Sequence, residues 1–143
     1  MTVALRVTLI APTPGVQFCL QSGRKNLIAK TVATGEDIRF DLELTAARAA
    51  REEVPRFSGP LVQGRFPGQF VYVCSGTCAG QDDSCWTRRA KVPLSGIRWG
   101  LVEKAQGQPG ARLEARFAGQ AKDGGPACAT IRPLNGGWRL CHE

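Results

Sequence analysis

The residues with the greatest chemical capacity fall between positions 74 and 94. Cys74, Cys78 and Cys85 lie within twelve residues, Asp82 and Asp83 sit between the last two, and Trp86 leads into Arg88, Arg89 and Lys91. Arginine pairs bidentately with carboxylate or phosphate, and the amides of a glycine-bearing loop add donors to such a site. Gly76–Leu94 therefore reads as a pocket for a small anionic or polar ligand, its charge held by Arg88, Arg89 and Lys91 against an apolar wall from Trp86. The plainer reading is a basic strand face in water, paired with Asp82 and Asp83. A second glycine-rich corner, Ala121–Pro126, brings Lys122 to the anion site. It also brings Asp123, a general base if it lies in a cleft and otherwise a turn residue.

The thiols also have two readings. Thiolates hold zinc, and Cys141 and His142 could join Cys74, Cys78 and Cys85 in such a set, but Cys74-x3-Cys78 has no second paired knuckle. No metal and no cofactor are expected. Cys85 stands before cations that lower a thiol's pKa, which makes it a candidate nucleophile. The six cysteines are otherwise expected to be reduced and mostly buried.

Side chains so placed need a scaffold, and the hydrophobic pattern describes one. Residues 3–10 alternate, with Val3, Leu5, Val7 and Leu9 on one face and Arg6 and Thr8 on the other, which is the period of a half-buried strand. Val16, Phe18 and Leu20 continue it after Pro12-Thr13-Pro14-Gly15, and a weaker strand covers 27–33. The clearest alternation is Ile38, Phe40, Leu42 and Leu44 against Arg39, Asp41, Glu43 and Thr45. Residues 46–53 hold helix formers, ended by Pro55, and 55–69 reads as a long loop. Strands are expected at 70–74, 87–94, 111–118, 128–134 and 138–141, the last two joined by a hairpin at Asn135-Gly136-Gly137. The strand at 87–94 puts Arg89 and Lys91 on one face and Arg88, Ala90 and Val92 on the other. Ser95 is placed to cap a short helix over 97–106. The pattern is all-β: one domain over residues 1–143, an antiparallel β-sandwich or small β-barrel with one or two short helices.

Length and charge bound the rest. A chain of 143 residues suits one domain, and 43% hydrophobic with 22% charged residues excludes wholesale disorder. No run is long enough to span a membrane. Arg6 interrupts the N-terminal run, which reads as a strand and not a signal peptide, so the expected address is the cytoplasm. There is no P-loop and no dinucleotide fingerprint. His142 is the only histidine, which removes most Ser–His and Cys–His mechanisms. The net charge of +7 invites nucleic acid, but the 19 basic residues are spread along the chain without a run or an aromatic ladder, so that partner is not expected.

The segments 59–64 (GPLVQG), 70–73 (FVYV), 75–77 with 79–81 (SGT, AGQ), 84–86 (SCW), 88–94 (RRAKVPL) and 121–126 (AKDGGP) together resemble an uncharacterised bacterial domain-of-unknown-function family. The likeness takes in Pro14-Gly15-Val16 and Leu20-Gln21 and covers most of the chain. It implies one bacterial, non-secreted domain and carries no activity or catalytic residue. Cys74 and Cys78 depart from its pattern, which weakens a shared zinc site.

The expected function is a non-catalytic binding or interaction module for a small anionic or polar ligand, with Trp86, Arg88, Arg89, Lys91, Lys122 and Asp123 as its site. The alternatives are a small enzyme using Asp82, Asp83 or Asp123 as acid/base or Cys85 as nucleophile, and, third, a nucleic-acid binder.

Overall fold

A computed structural model describes residues 1–22, 26–47, 55–58, 70–76, 86–121, 129–134 and 137–142. Among these, the elements follow in the order β1 (Thr2–Ile10), β2 (Gln17–Ser22), β3 (Asn26–Val32), β4 (Ile38–Ala47), β5 (Arg56–Ser58), β6 (Phe70–Gly76), β7 (Trp86–Pro93), a 3-10 turn (Leu94–Gly96), α1 (Trp99–Gln106), β8 (Ala111–Ala121), β9 (Ala129–Pro133) and β10 (Arg139–His142). The fold is all-β.

The strands make two sheets. One runs β10-β8-β1-β4-β5, with β9 also on β8; the other runs β3-β2-β6-β7. Alternation decides which side of each strand turns inward. Val3, Leu5, Val7 and Leu9 of β1 are buried, as are Phe40, Leu42, Leu44 and Ala46 of β4. The register pairs Val3 with Leu44, Leu5 with Leu42 and Val7 with Phe40, so the buried sets stand opposite one another. Phe18 and Leu20 of β2 and Val71 and Val73 of β6 join them in one hydrophobic cluster that draws on both sheets. The sheets are also tied by a polar link. Ser75 Oγ on β6 donates to the Ala129 carbonyl of β9 at 2.7 Å and accepts from the Ala129 amide at 3.0 Å, with Ser75 fully buried. Replacing it by alanine strands two backbone groups at once. Ser75→Ala is expected to lower unfolding free energy by about 1–3 kcal/mol in urea titration. An unchanged midpoint would show that water takes over both bonds.

Four expectations need correction. First, the sheet is not wholly antiparallel, because β1 and β8 pair in parallel. The whole of the other sheet and α1 lie between them in sequence, which supplies the long crossover that a parallel pair requires. Second, Asn135-Gly136-Gly137 does not close a hairpin. β9 pairs with the second half of β8 and β10 with its first half, both antiparallel. β8 spans eleven residues, long enough to take both short strands end to end along one edge. Third, Ser95 lies in the 3-10 turn, and the residue capping α1 is Arg98, whose extended backbone makes no side-chain cap bond. Fourth, Ala46 and Ala47 of the expected helix extend β4, because Ala46 is buried against Phe57 of β5 in register. Residues 48–54 fall outside the described residues. Within the expected long loop, Arg56–Ser58 is a strand, and 59–69 also fall outside.

Helix α1 buries Val102 and Ala105 and rests on β1, β8 and β10. Gln106 Nε2 donates to the Thr2 carbonyl and fixes the helix to the start of β1. No helix among the described residues is long and apolar enough to cross a membrane.

The outer face of the larger sheet holds charges in a cross-strand row, Arg139–Glu114–Arg6–Asp41, one residue from each of four adjacent strands. Arg6 grips Asp41 with two bonds, Nε to Oδ1 at 2.7 Å and Nη2 to Oδ2 at 3.2 Å. The Arg6 bond holds the Asp41 carboxyl below the usual carboxylate range; burial opposes this, and the charges of Arg6, Arg112 and Arg39 add to it. A depressed folded-state pKa contributes stability above the ordinary value, and that stability is lost as pH falls through the folded one. Asp41→Asn is therefore expected to be less stable than the parent at neutral pH, with the gap closing below about pH 4. Urea midpoints at pH 7 and pH 3 check this; a gap independent of pH would deny the carboxylate its role.

Candidate functional site

The four-stranded sheet positions the basic residues singled out above. Its strands contain Lys30, Arg88, Arg89 and Lys91 and no aspartate or glutamate. Register then sorts them by face. Lys30, Cys19, Cys74 and Arg89 form one cross-strand row, and Leu27, Gln21, Tyr72 and Lys91 the next. Both rows lie on the face turned away from the main cluster, because their neighbours Phe18, Leu20, Val71, Val73 and Val92 are buried on the other side. Arg88 pairs with the inward Ser75 and so stands on the opposite side of β7 from Arg89 and Lys91, exposed at the rim. The two arginines expected to act together are thus divided by the strand itself.

Arg89 crosses over β6 to reach β2. Its Nε donates to Gln21 Oε1 at 3.1 Å. Gln21 is fully buried, and its Nε2 has no hydrogen-bond partner among the described residues. A buried amide donor left without a partner costs about 1–3 kcal/mol. Arg89 and Lys91 are exposed, and Tyr72 between Gln21 and Lys91 is half-buried. Arg89, Lys91 and the half-buried Tyr72 therefore stand on one face, with the buried Gln21 orienting Arg89 from beneath. An anion with several acceptor oxygens matches that set.

Trp86 is not a pocket wall. It is 1% exposed and packs with Cys19, Cys74 and Leu27 in a second, smaller cluster on this same face. Its Nε1 also lacks a partner among the described residues.

Cys19 and Cys74 are joined in a disulfide between β2 and β6, their Cα atoms 4.9 Å apart. This corrects the expectation of reduced thiols for that pair. Directly opposed residues on adjacent antiparallel strands stand at bridging distance. The bond also removes Cys74 from any thiolate set with Cys78 and Cys85. Cys141 is a free, half-buried thiol on the other sheet. Burial raises its pKa, and the Glu114 carboxylate adds to the effect. Lys122, Asp123, Asp82, Asp83, Cys78, Cys85 and Cys128 fall outside the described residues. A concavity of about 400 Å³ lies elsewhere, lined by Gly96, Arg98, Gly100, Leu101 and Lys104 where α1 begins. Sequence pattern does not reveal it, because it forms from the corner between the 3-10 turn and the helix.

A family model matches residues 3–141. The chain belongs to DUF5990, a family of unknown function. No curated protein and no solved structure matches the chain. Membership in DUF5990 agrees with the resemblance seen in the sequence and assigns no chemistry, so the site of this DUF5990 chain has to be argued from its own side chains. Gln21 is the residue that sequence reasoning missed. Its signal was weak: a glutamine on the polar side of a strand, 68 positions before Arg89.

Proposed function

We propose that the chain is a non-catalytic binding module for a small anionic ligand, seated on the outer face of the four-stranded sheet. The observation that carries the reading is the Arg89–Gln21 bond on a sheet whose strands hold four cations and no carboxylate. Gln21 fixes the guanidinium by one N–H, so less conformational freedom is lost when an oxyanion docks. Lys91, two residues along the same strand face, adds a second positive charge. Tyr72 supplies a hydroxyl or a ring edge beside them. Nothing in this set is poised to transfer a proton or attack a substrate; it recognises charge.

Isothermal titration with citrate and with inorganic phosphate tests the site. The parent protein is expected to bind one of them, and Arg89→Ala to bind it about tenfold or more weakly, since hydrogen bonds to charged groups contribute about 1.5–3 kcal/mol. Arg88→Ala removes the same charge from the other side of the strand and is expected to leave the affinity unchanged. Equal loss in both variants would reduce the site to net charge, and no loss in Arg89→Ala would dismiss it.

A further inference from the structure

The larger sheet offers a second surface, independent of the site above. Its strands place seven arginines on the outer face: Arg6, Arg39, Arg56, Arg112, Arg116, Arg132 and Arg139. They are far apart in sequence, and the register gathers them. The same strands place three acids there, Asp41, Glu43 and Glu114, with Asp37 at the rim. Most of these carboxylates are already engaged. Asp41 is held by Arg6, with Arg112 at 3.9 Å. Glu114 accepts from Thr8 Oγ1 at 2.8 Å and pairs with Arg116 at 3.6 Å. Asp37 Oδ1 accepts from the Ala11 amide at 2.8 Å.

The arrangement leaves a positive stripe beside the charge row. Thr8 is flanked by Arg116 on β8 and Arg39 on β4. One step along, Arg132 on β9 faces Ala118, which neighbours Ile10. Thr8 and Ala118 are buried and Ile10 half-buried, so three guanidinium groups surround a floor without charge. From β9 to β4 the stripe crosses three strand spacings, roughly 14 Å. That length spans about four 3.4 Å steps of one nucleic-acid strand.

We propose that this face docks the phosphate backbone of a nucleic acid without reading its sequence. Every cation that the described strands place on it is arginine, whose planar fork matches a phosphate in two contacts. Among the described residues no aromatic side chain stands on the face, which favours contact with the backbone over stacking with bases. An acidic protein partner is disfavoured by the same list, since protein interfaces rely on buried aromatic and aliphatic anchors.

Fluorescence anisotropy with a labelled 20-base-pair duplex of arbitrary sequence tests the proposal. With about three phosphates engaged, affinity is expected to fall roughly 40-fold between 50 and 200 mM salt. Arg39→Gln/Arg132→Gln keeps every ion pair named above, so it is expected to fold. It should flatten the logarithmic salt slope by about two, each lost phosphate contact contributing about one. Arg98→Gln/Lys104→Gln removes two charges from α1 and is expected to bind as the parent does. A scrambled duplex should bind equally. An unchanged slope in the Arg39/Arg132 variant, equal loss in the α1 variant, or poly-glutamate binding as tightly as the duplex would each overturn the proposal.

Discussion

Breaking the bond between Cys19 and Cys74 is expected to lower the free energy of unfolding by about 4 kcal/mol, because the bridge closes a loop with a sequence separation of 55. On the chain-entropy argument, the unfolded ensemble gains most when a long loop is released. Here the loop runs from β2 of the four-stranded sheet through β3, β4 and β5 to β6, so it contains two strands of the larger sheet. Releasing it frees parts of both sheets at once. The bridged pair is fully buried beside Trp86. A reductant should therefore act slowly on the folded protein and quickly in urea. Urea titration of Cys19→Ala/Cys74→Ala against the oxidised parent measures the effect. Peptide mass spectrometry after alkylation in urea without reductant shows whether the bond is present. Coincident unfolding curves, or alkylated Cys19 and Cys74 in that digest, would defeat the prediction. The same digest on protein taken directly from cells reports the compartment: bridges persist where the surroundings oxidise, and thiols persist in the cytoplasm.

The all-β fold was legible because alternation is a local property. β1, β4 and the first half of β8 bury every second residue over long runs. What local pattern could not show was which strand lies beside which. Asn135-Gly136-Gly137 has the composition of a tight turn, yet the length of β8 allows two strands to share its edge. Cys19 and Cys74 look like unrelated thiols until the β2–β6 register sets them opposite each other. The division of Arg88 from Arg89 was legible as strand periodicity, but its cost to a shared site appeared only with the inward face identified. The arginines of the larger sheet show the reverse case. Their separation in sequence suggested scatter, and pairing of β1, β4, β8, β9 and β10 brought them to one surface. The charge pattern thus depends on long-range register, and the helix boundary on a corner where Ile97 and Leu94 are buried ahead of α1.

Phe18 and Gly119 mark a tight contact between the two sheets, and they should fail together. A Cβ built on Gly119 would lie 2.7 Å from Phe18 Cε1, 2.9 Å from Cζ and 3.3 Å from Leu9 Cδ2. Phe18 and Leu9 are both fully buried, so neither can swing into solvent to make room. Gly119→Ala is expected to destabilise by about 1–3 kcal/mol through overpacking. Phe18→Ala is expected to lose about 3–5 kcal/mol, the transfer term plus the cavity left between the sheets. The two effects have a common cause, which is the volume of one ring between β2 and β8. In the double variant the new methyl enters space that the ring has vacated. Its cost should vanish or change sign, so the double variant should be no less stable than Phe18→Ala alone. Urea titration of the four proteins in a double-mutant cycle measures this coupling, which is expected to reach about 1–3 kcal/mol for residues in contact. Additive losses would mean that Gly119 is needed for the backbone of β8 itself and not for the ring packed on it.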